Sequence, residues 1–125
     1  MDATPTQNYD ISTDEILFSA LSLIDVTKLG ATHTPWWNRT LAEVSGSWVR
    51  LGVMEGDFHW HKHDDTDEFF FVIEGKLDIE LEDKVIELRP GQAVTVPRGV
   101  MHFPHARERS VVLMIEKAGV SPTGS

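Results

Sequence analysis

Short runs of alternating apolar and polar residues dominate the chain from Ser47 onward. Leu77, Ile79 and Leu81 alternate with acidic residues, which predicts a strand with one buried face and one solvated face. Turn residues separate such runs at intervals of about ten residues, a spacing typical of β-sandwiches and small barrels. The predicted strands are 47–54, 58–63, 68–74, 76–82, 84–88, 93–96, 101–107 and 111–116. The pattern therefore predicts an all-β, antiparallel sandwich or barrel.

The residues before Ser47 carry a weaker pattern. Residues 1–15 are polar and contain Pro5, which predicts a flexible N-terminal tail. Residues 16–29 are apolar but mix helical and strand spacings, so a short irregular or helical segment is expected and both readings stay open. Residues 34–38 predict a turn, in which Trp36 and Trp37 either close one end of the core or join a subunit contact. We expect one domain over 16–119, followed by a C-terminal tail at 120–125.

Composition narrows the class of protein. With 125 residues, of which 41% are apolar, the chain has the material for one ordinary core. It has no cysteine, so neither disulfides nor thiolate ligands are available. The formal net charge of −9 disfavours nucleic acid and anionic lipid as partners. No basic leader and no run of about 18 apolar residues is present, which predicts a cytoplasmic protein without a membrane partner.

Three histidines and one glutamate form a candidate metal site. His61 and His63 are two residues apart on a predicted strand, so their side chains point the same way. Glu68 follows across a polar turn, and His102 follows the Pro97-Arg98-Gly99 turn on a separate strand. Imidazole nitrogens and carboxylate oxygens are ligands of divalent transition metals. Three nitrogens and one oxygen leave two open positions on a six-coordinate ion.

Two motifs around these residues resemble those of the cupin superfamily, in its small single-domain form. The first is carried by Gly56, His61, His63, Glu68 and Gly75, and the second by Gly91, Pro97, Gly99 and His102. The resemblance implies a double-stranded β-helix, or jelly-roll barrel, with a metal held by the three histidines and Glu68. It also implies a homodimer. The chain departs from the family pattern by having one residue fewer between Gly56 and His61, and by Ala106 where asparagine is common.

Four further residues are candidates for contact with a substrate or with the metal ligands. His59 shares strand parity with the ligand histidines, so we expect it to face the interior and orient a substrate or a ligand. A buried histidine paired with a backbone carbonyl is the alternative. Phe70 and Val72 share parity with Glu68 and are expected to line the cavity. Arg98 is a candidate for binding an acidic substrate at the rim, with an exposed turn arginine as the alternative.

Open metal positions suit two classes of function. In an enzyme, a substrate with two neighbouring oxygens chelates the metal, which acts as a Lewis acid or activates dioxygen. Dioxygenase, isomerase and lyase or cyclase chemistry all fit, with Glu68 as a candidate general base. In a binding module, the metal only anchors a sugar or an organic acid. The sequence leaves both classes open, and it leaves the metal open among Fe, Mn, Ni, Zn and Cu.

Overall fold

The computed structural model describes residues 9–124, which form eight strands, one short helix and the loops between them. The strands are β1 (Asp10–Ile16), β2 (Trp37–Val44), β3 (Ser47–Asp57), β4 (Glu68–Glu74), β5 (Leu77–Glu80), β6 (Val85–Leu88), β7 (Ala93–Val96) and β8 (Phe103–Lys117), and the helix is α1 (Val26–Thr32). No helix among these residues is long and apolar enough to cross a membrane. The prediction of an all-β jelly roll is confirmed.

Strand β8 holds the sheet together. The strand order is β1-β2-β3-β8-β4-β7, with β5 also paired to β8 and β6 paired to β5. The sequence predicts two strands, 101–107 and 111–116, where the structure has the single 15-residue β8. The register against β3 shifts between Met54 and Gly56, so Arg107 and its neighbours bulge without ending the strand. The sequence of this polar bulge resembles that of a turn, which explains why the sequence predicts two strands.

Burial on both faces explains the apolar stretches of β3 and β8. Side chains alternate between faces along a strand, so Met54 and Met114 enter one buried cluster while Val53 and Val111 enter another. The first cluster lies around the cavity described below, and also contains Trp36. In the second, apolar residues of α1 and of the segment before it pack against the sheet. Two buried faces make β3 and β8 the rigid frame on which the site is built.

The N-terminal region differs from its prediction. Residues 10–15, expected in the flexible tail, form β1 together with Ile16, and this strand pairs in parallel with β2. Arg39 fixes this strand, because its Nη2 lies 2.8 Å from Asp10 Oδ1 and its Nη1 donates to the Asp10 carbonyl. The polar composition of β1 hides a strand whose hydrogen bonds depend on β2. The rest of the predicted tail, residues 1–8, lies outside the described residues.

The ambiguous segment resolves into irregular chain followed by a helix. Asp25 caps α1 by accepting a hydrogen bond from Lys28 N at 3.1 Å. The turn predicted at 34–38 is shorter than expected, because β2 begins at Trp37. Trp36 and Trp37 are both buried, one in each apolar cluster, so they close the core.

Candidate metal centre

One pair of backbone hydrogen bonds sets His61 beside His102. His61 N donates to His102 O at 3.0 Å, and His102 N donates to His61 O at 2.9 Å. The two ring centroids are 4.3 Å apart. The predicted strand 58–63 does not form as a strand. In this range only His61 forms a β-bridge, the isolated one to His102. It is enough to bring together two segments that are distant in the sequence.

Turns position the remaining two residues. Gly99 N donates to His63 O at 2.8 Å, which ties the first histidine segment to the turn before His102. In that turn, Arg98 N donates to Asp67 Oδ1 at 3.0 Å. Glu68 follows directly as the first residue of β4, opposite Val96 of β7. The acidic turn 64–67 therefore serves to fasten the loops around the site.

The structure brings the four predicted ligands into one buried group. One ligand atom from each of His61, His63, Glu68 and His102 lies within 4.8 Å of the others. Their exposed fractions are 7%, 2%, 5% and 1% in that order. Glu68 Oε1 lies 3.2 Å from His63 Nε2 and 3.4 Å from His102 Nε2. These three atoms are buried and have no hydrogen-bond partner among the described residues. Buried polar atoms are rarely left unpaired, so the group could hold a metal ion.

Backbone carbonyls orient two of the imidazoles. His61 Nδ1 lies 3.0 Å from His59 O, and His102 Nδ1 lies 2.9 Å from Val100 O. Because a carbonyl only accepts hydrogen bonds, Nδ1 of each ring carries the proton. The lone pair is then on Nε2, the atom that would coordinate a metal. A backbone contact of this kind is the usual second support of a metal-binding histidine.

The charge states of two donors also suit a cation. Burial lowers the pKa of His61 to about 4, so its imidazole is neutral at pH 7. Burial raises the pKa of Glu68, but the imidazoles of His102 and His63 lower it by a larger amount, so this pKa lies below its ordinary value. Glu68 is therefore an anion. A neutral imidazole and a carboxylate are the forms that bind metals.

A narrow cavity of about 30 Å³ adjoins this group. Most of its wall is apolar, and Asn38 and Glu116 are its polar residues besides two of the candidate ligands. The lining residues are Ile11, Trp36, Asn38, Met54, Phe58, His61, Glu68, Phe70, Pro104, Met114, Glu116 and Pro122. The metal-facing atoms therefore meet a space that water or a small molecule can enter.

Glu116 of the cavity wall lies beside a buried arginine that the sequence pattern did not reveal. Arg50 is fully buried, and its Nε lies 3.5 Å from Glu116 Oε1. Burial raises the pKa of Glu116 to about 9, with the Glu68 charge adding to the rise and Arg50 opposing it. Burial also lowers the pKa of Arg50. The burial of Arg50 could have been found from strand alternation, because Arg50 lies on the same face of β3 as the buried Met54.

The other predicted residues fall in different places. His59 is half-buried, its Nε2 lies 2.9 Å from Thr123 O, and its ring centroid lies 5.1 Å from that of His61, so the ring is near both the C-terminal segment and one candidate ligand. Phe70 lines the cavity, whereas the fully buried Val72 is part of the core and not of the cavity wall. Arg98 is exposed and pairs with Asp67, with 3.7 Å between Nε and Oδ1. Of the four, Phe70 alone lies on the cavity wall.

Comparison with known proteins places the chain in a group. Residues 47–116, which include all four candidate ligands, match the family model of the cupin domain. The uncharacterized protein YdbB of Bacillus subtilis is 38% identical over 80 residues, which are 63% of this chain and 71% of that protein. The crystal structure of a cupin-2 domain containing protein from Shewanella frigidimarina is 36% identical, with a TM-score of 0.73 over 76% of this chain and 94% of that chain. KdgF from a Halomonas species is 25% identical, with a TM-score of 0.60 over 65% of this chain and 78% of that chain.

Proposed function

The chain belongs to the cupin domain family. We propose that it binds one divalent transition metal through His61, His63, Glu68 and His102, and that the metal-loaded protein is an enzyme for small, oxygen-rich substrates. The observation that carries this proposal is the set of buried atoms without hydrogen-bond partners: Glu68 Oε1 and the Nε2 atoms of His63 and His102. Such atoms cost stability in a metal-free core, and a shared cation compensates all three at once.

The donor set limits the metal without naming it. Three imidazoles and one carboxylate accept Fe, Mn, Ni, Zn and Cu, and the metal that is available decides among them. Structural metal sites are typically closed and rich in thiolate, whereas His61 and Glu68 here line a cavity. This opening supports a metal that meets a substrate over one that only stabilises the barrel.

The chemistry divides between the metal and the chain. A bound cation supplies Lewis acidity, and a redox-active one also supplies dioxygen chemistry, which fits the dioxygenase, isomerase and lyase or cyclase classes. Glu68 is an anion and is the candidate general base when it is released from the cation. Phe70 and the other apolar side chains of the wall lower the local polarity, which strengthens electrostatic interactions at the site.

Metal analysis and turnover assays together test the proposal. Protein purified without chelators should contain about one metal per chain, and His61→Ala and His102→Ala should each lose it. Arg98→Ala is the matched control, because Arg98 is exposed and outside the cavity. Each reconstituted metal form is then assayed for oxygen uptake and product formation with diketones, enediols and 2-hydroxy acids.

Three results are decisive. Turnover that requires both histidines supports the enzyme. Metal binding with tight ligand retention but no product, in every metal form, would overturn the enzyme in favour of a metal-anchored module that binds a sugar or an organic acid. A wild-type protein that binds no divalent transition metal would overturn the metal site itself.

A further inference from the structure

Glu116 lies on the cavity wall beside two of the proposed metal ligands, and the fully buried Arg50 is its neighbour. Glu116 Oε1 faces Arg50 Nε, whereas Glu116 Oε2 is buried and has no hydrogen-bond partner among the described residues. We propose that Glu116, held by Arg50, forms a second binding subsite, which accepts a hydrogen bond from a hydroxyl or amino group of the metal-bound substrate. This inference rests on the proposed function and names the substrate class for it.

Stability does not explain the pair. A guanidinium and a carboxyl group removed from water lose their hydration, and replacing such a buried pair with apolar residues is often neutral or stabilising. Yet Arg50 is firmly held, because its Nη2 donates to Asn38 Oδ1 at 2.6 Å and its Nη1 donates to Thr40 Oγ1. These contacts fix the guanidinium, whose Nε lies 3.5 Å from one oxygen of Glu116. The second oxygen has no hydrogen-bond partner among the described residues, and the side chain that carries it lines the cavity.

The strand register places this oxygen close to the metal ligands. Strands β4 and β8 are antiparallel, with Phe69 opposite Ile115 and Phe70 opposite Met114. One step further along the same register, Glu68 is opposite Glu116, and side chains in such pairs have Cβ atoms about 4.5 to 5.5 Å apart. A substrate that binds at the four ligands would therefore lie beside Glu116. The ionised carboxylate would accept a hydrogen bond from a substrate hydroxyl, and the neutral carboxyl group would donate one to the same hydroxyl oxygen.

The rest of the wall restricts the substrate to a compact, mainly apolar molecule. Trp36, Met54, Phe58 and Met114 are among the side chains that face the cavity. A sugar would bury several hydroxyl groups against them without partners, which is costly. The fitting class is a short 2-oxo or 2-hydroxy carboxylate that carries one hydroxyl or amino group on the carbon next to its chelating oxygens.

Two acids of equal size test the subsite. 3-Hydroxypyruvate and 2-oxobutanoate chelate a metal through the same oxygens, and the first carries a hydroxyl where the second carries a methyl. Binding to the cobalt-loaded protein is followed by visible absorption and by calorimetry. The wild type should bind 3-hydroxypyruvate about tenfold more tightly, the size of effect that one buried hydrogen bond gives.

Two variants remove the acceptor in different ways. In Glu116→Gln the amide oxygen faces Arg50 Nε, so an amino group faces the substrate and the preference should fall to parity or below. The double variant Arg50→Met with Glu116→Met leaves no unpaired charge in the core, and it should also lose the preference. The affinity for 2-oxobutanoate should change by less than about threefold in both, because its methyl makes no hydrogen bond.

The metal affinity of each variant, measured by competition with a chelator, separates the outcomes. An unchanged metal affinity with a lost preference supports the subsite. A metal affinity that falls more than about tenfold in Glu116→Gln would make Glu116 a support for Glu68 and overturn the subsite. Equal binding of both acids to the metal-loaded wild type would overturn the subsite and leave the proposed function standing. A wild type that binds no metal would overturn the proposed function and the subsite together.

Discussion

Acidification from pH 7 to pH 5 should destabilise the metal-free protein through His61. Burial lowers the pKa of this imidazole to about 4, whereas in the unfolded chain it returns to 6.5. Between these two values the unfolded chain binds a proton that the folded protein does not. The stability that is present above pH 6.5 is therefore lost as the pH falls towards 4.

The size of the effect follows from the two pKa values. Proton linkage at one site gives a loss of about 2 kcal/mol between pH 7 and pH 5. Glu116 acts in the opposite direction, because its pKa is raised to about 9 and the folded protein then holds a proton that the unfolded chain releases. The two contributions overlap in the same pH range. The effect of His61 must therefore be isolated by comparing the wild type with a variant that lacks this imidazole.

His61→Gln provides that difference, since it removes the titrating ring and retains Glu116. Urea unfolding of both proteins, with a chelator present, gives the free energy of unfolding at pH 7 and at pH 5. The variant should gain about 2 kcal/mol relative to the wild type at the lower pH. A gap between the two proteins that is the same at both pH values would refute the reasoning. An NMR titration that finds His61 protonated at pH 5 in the folded protein would refute it as well.

Three further predictions concern stability and assembly. A divalent metal at 100 times its dissociation constant should stabilise the wild type by about 2.7 kcal/mol in thermal unfolding; His63→Ala should lose this gain, and a gain that persists would contradict the assigned ligands. Gly75→Ala should cost more than about 2 kcal/mol, because φ is +87° and the new Cβ would lie 2.5 Å from Arg109 O. Gly91→Ala, at φ +85° with nothing within 4 Å, should cost about 1 kcal/mol, and equal losses in urea unfolding would exclude the clash. Light scattering should give twice the 14.1 kDa chain mass for the predicted homodimer, and the single mass would contradict it.

The strands from β3 onward were predictable because their own sequences carry the signal. Alternation in β5 and the apolar run of β4 reflect burial that each strand undergoes individually. β1 is polar, and its pairing depends on Arg39 and on β2, which no local pattern reveals. The bulge that joins the two halves of β8 depends equally on β3.

The candidate metal site was predictable for a different reason. His61, His63, Glu68 and His102 are ligand types placed at strand and turn positions, so type and spacing both indicate them. The parity argument placed His59 in the interior, but the chain around it forms only the His61 bridge, and the side chains need not alternate there. Glu116 ends an apparent strand, where a charge usually indicates solvent. Its burial depends on Arg50, which comes from another strand.

Strand β1 lies at an edge of the described sheet and contributes to the cavity wall. Among residues 9–124 this strand pairs with β2 alone, and its register breaks between Ile11 and Ile16, whereas β8 has neighbours on both sides. Its backbone amides should therefore exchange with deuterium sooner than those of β8. Because Ile11 is part of the cavity wall, local opening of β1 would uncover the cavity while β8 and the histidine bridge stay intact. Small molecules would then enter without unfolding of the barrel.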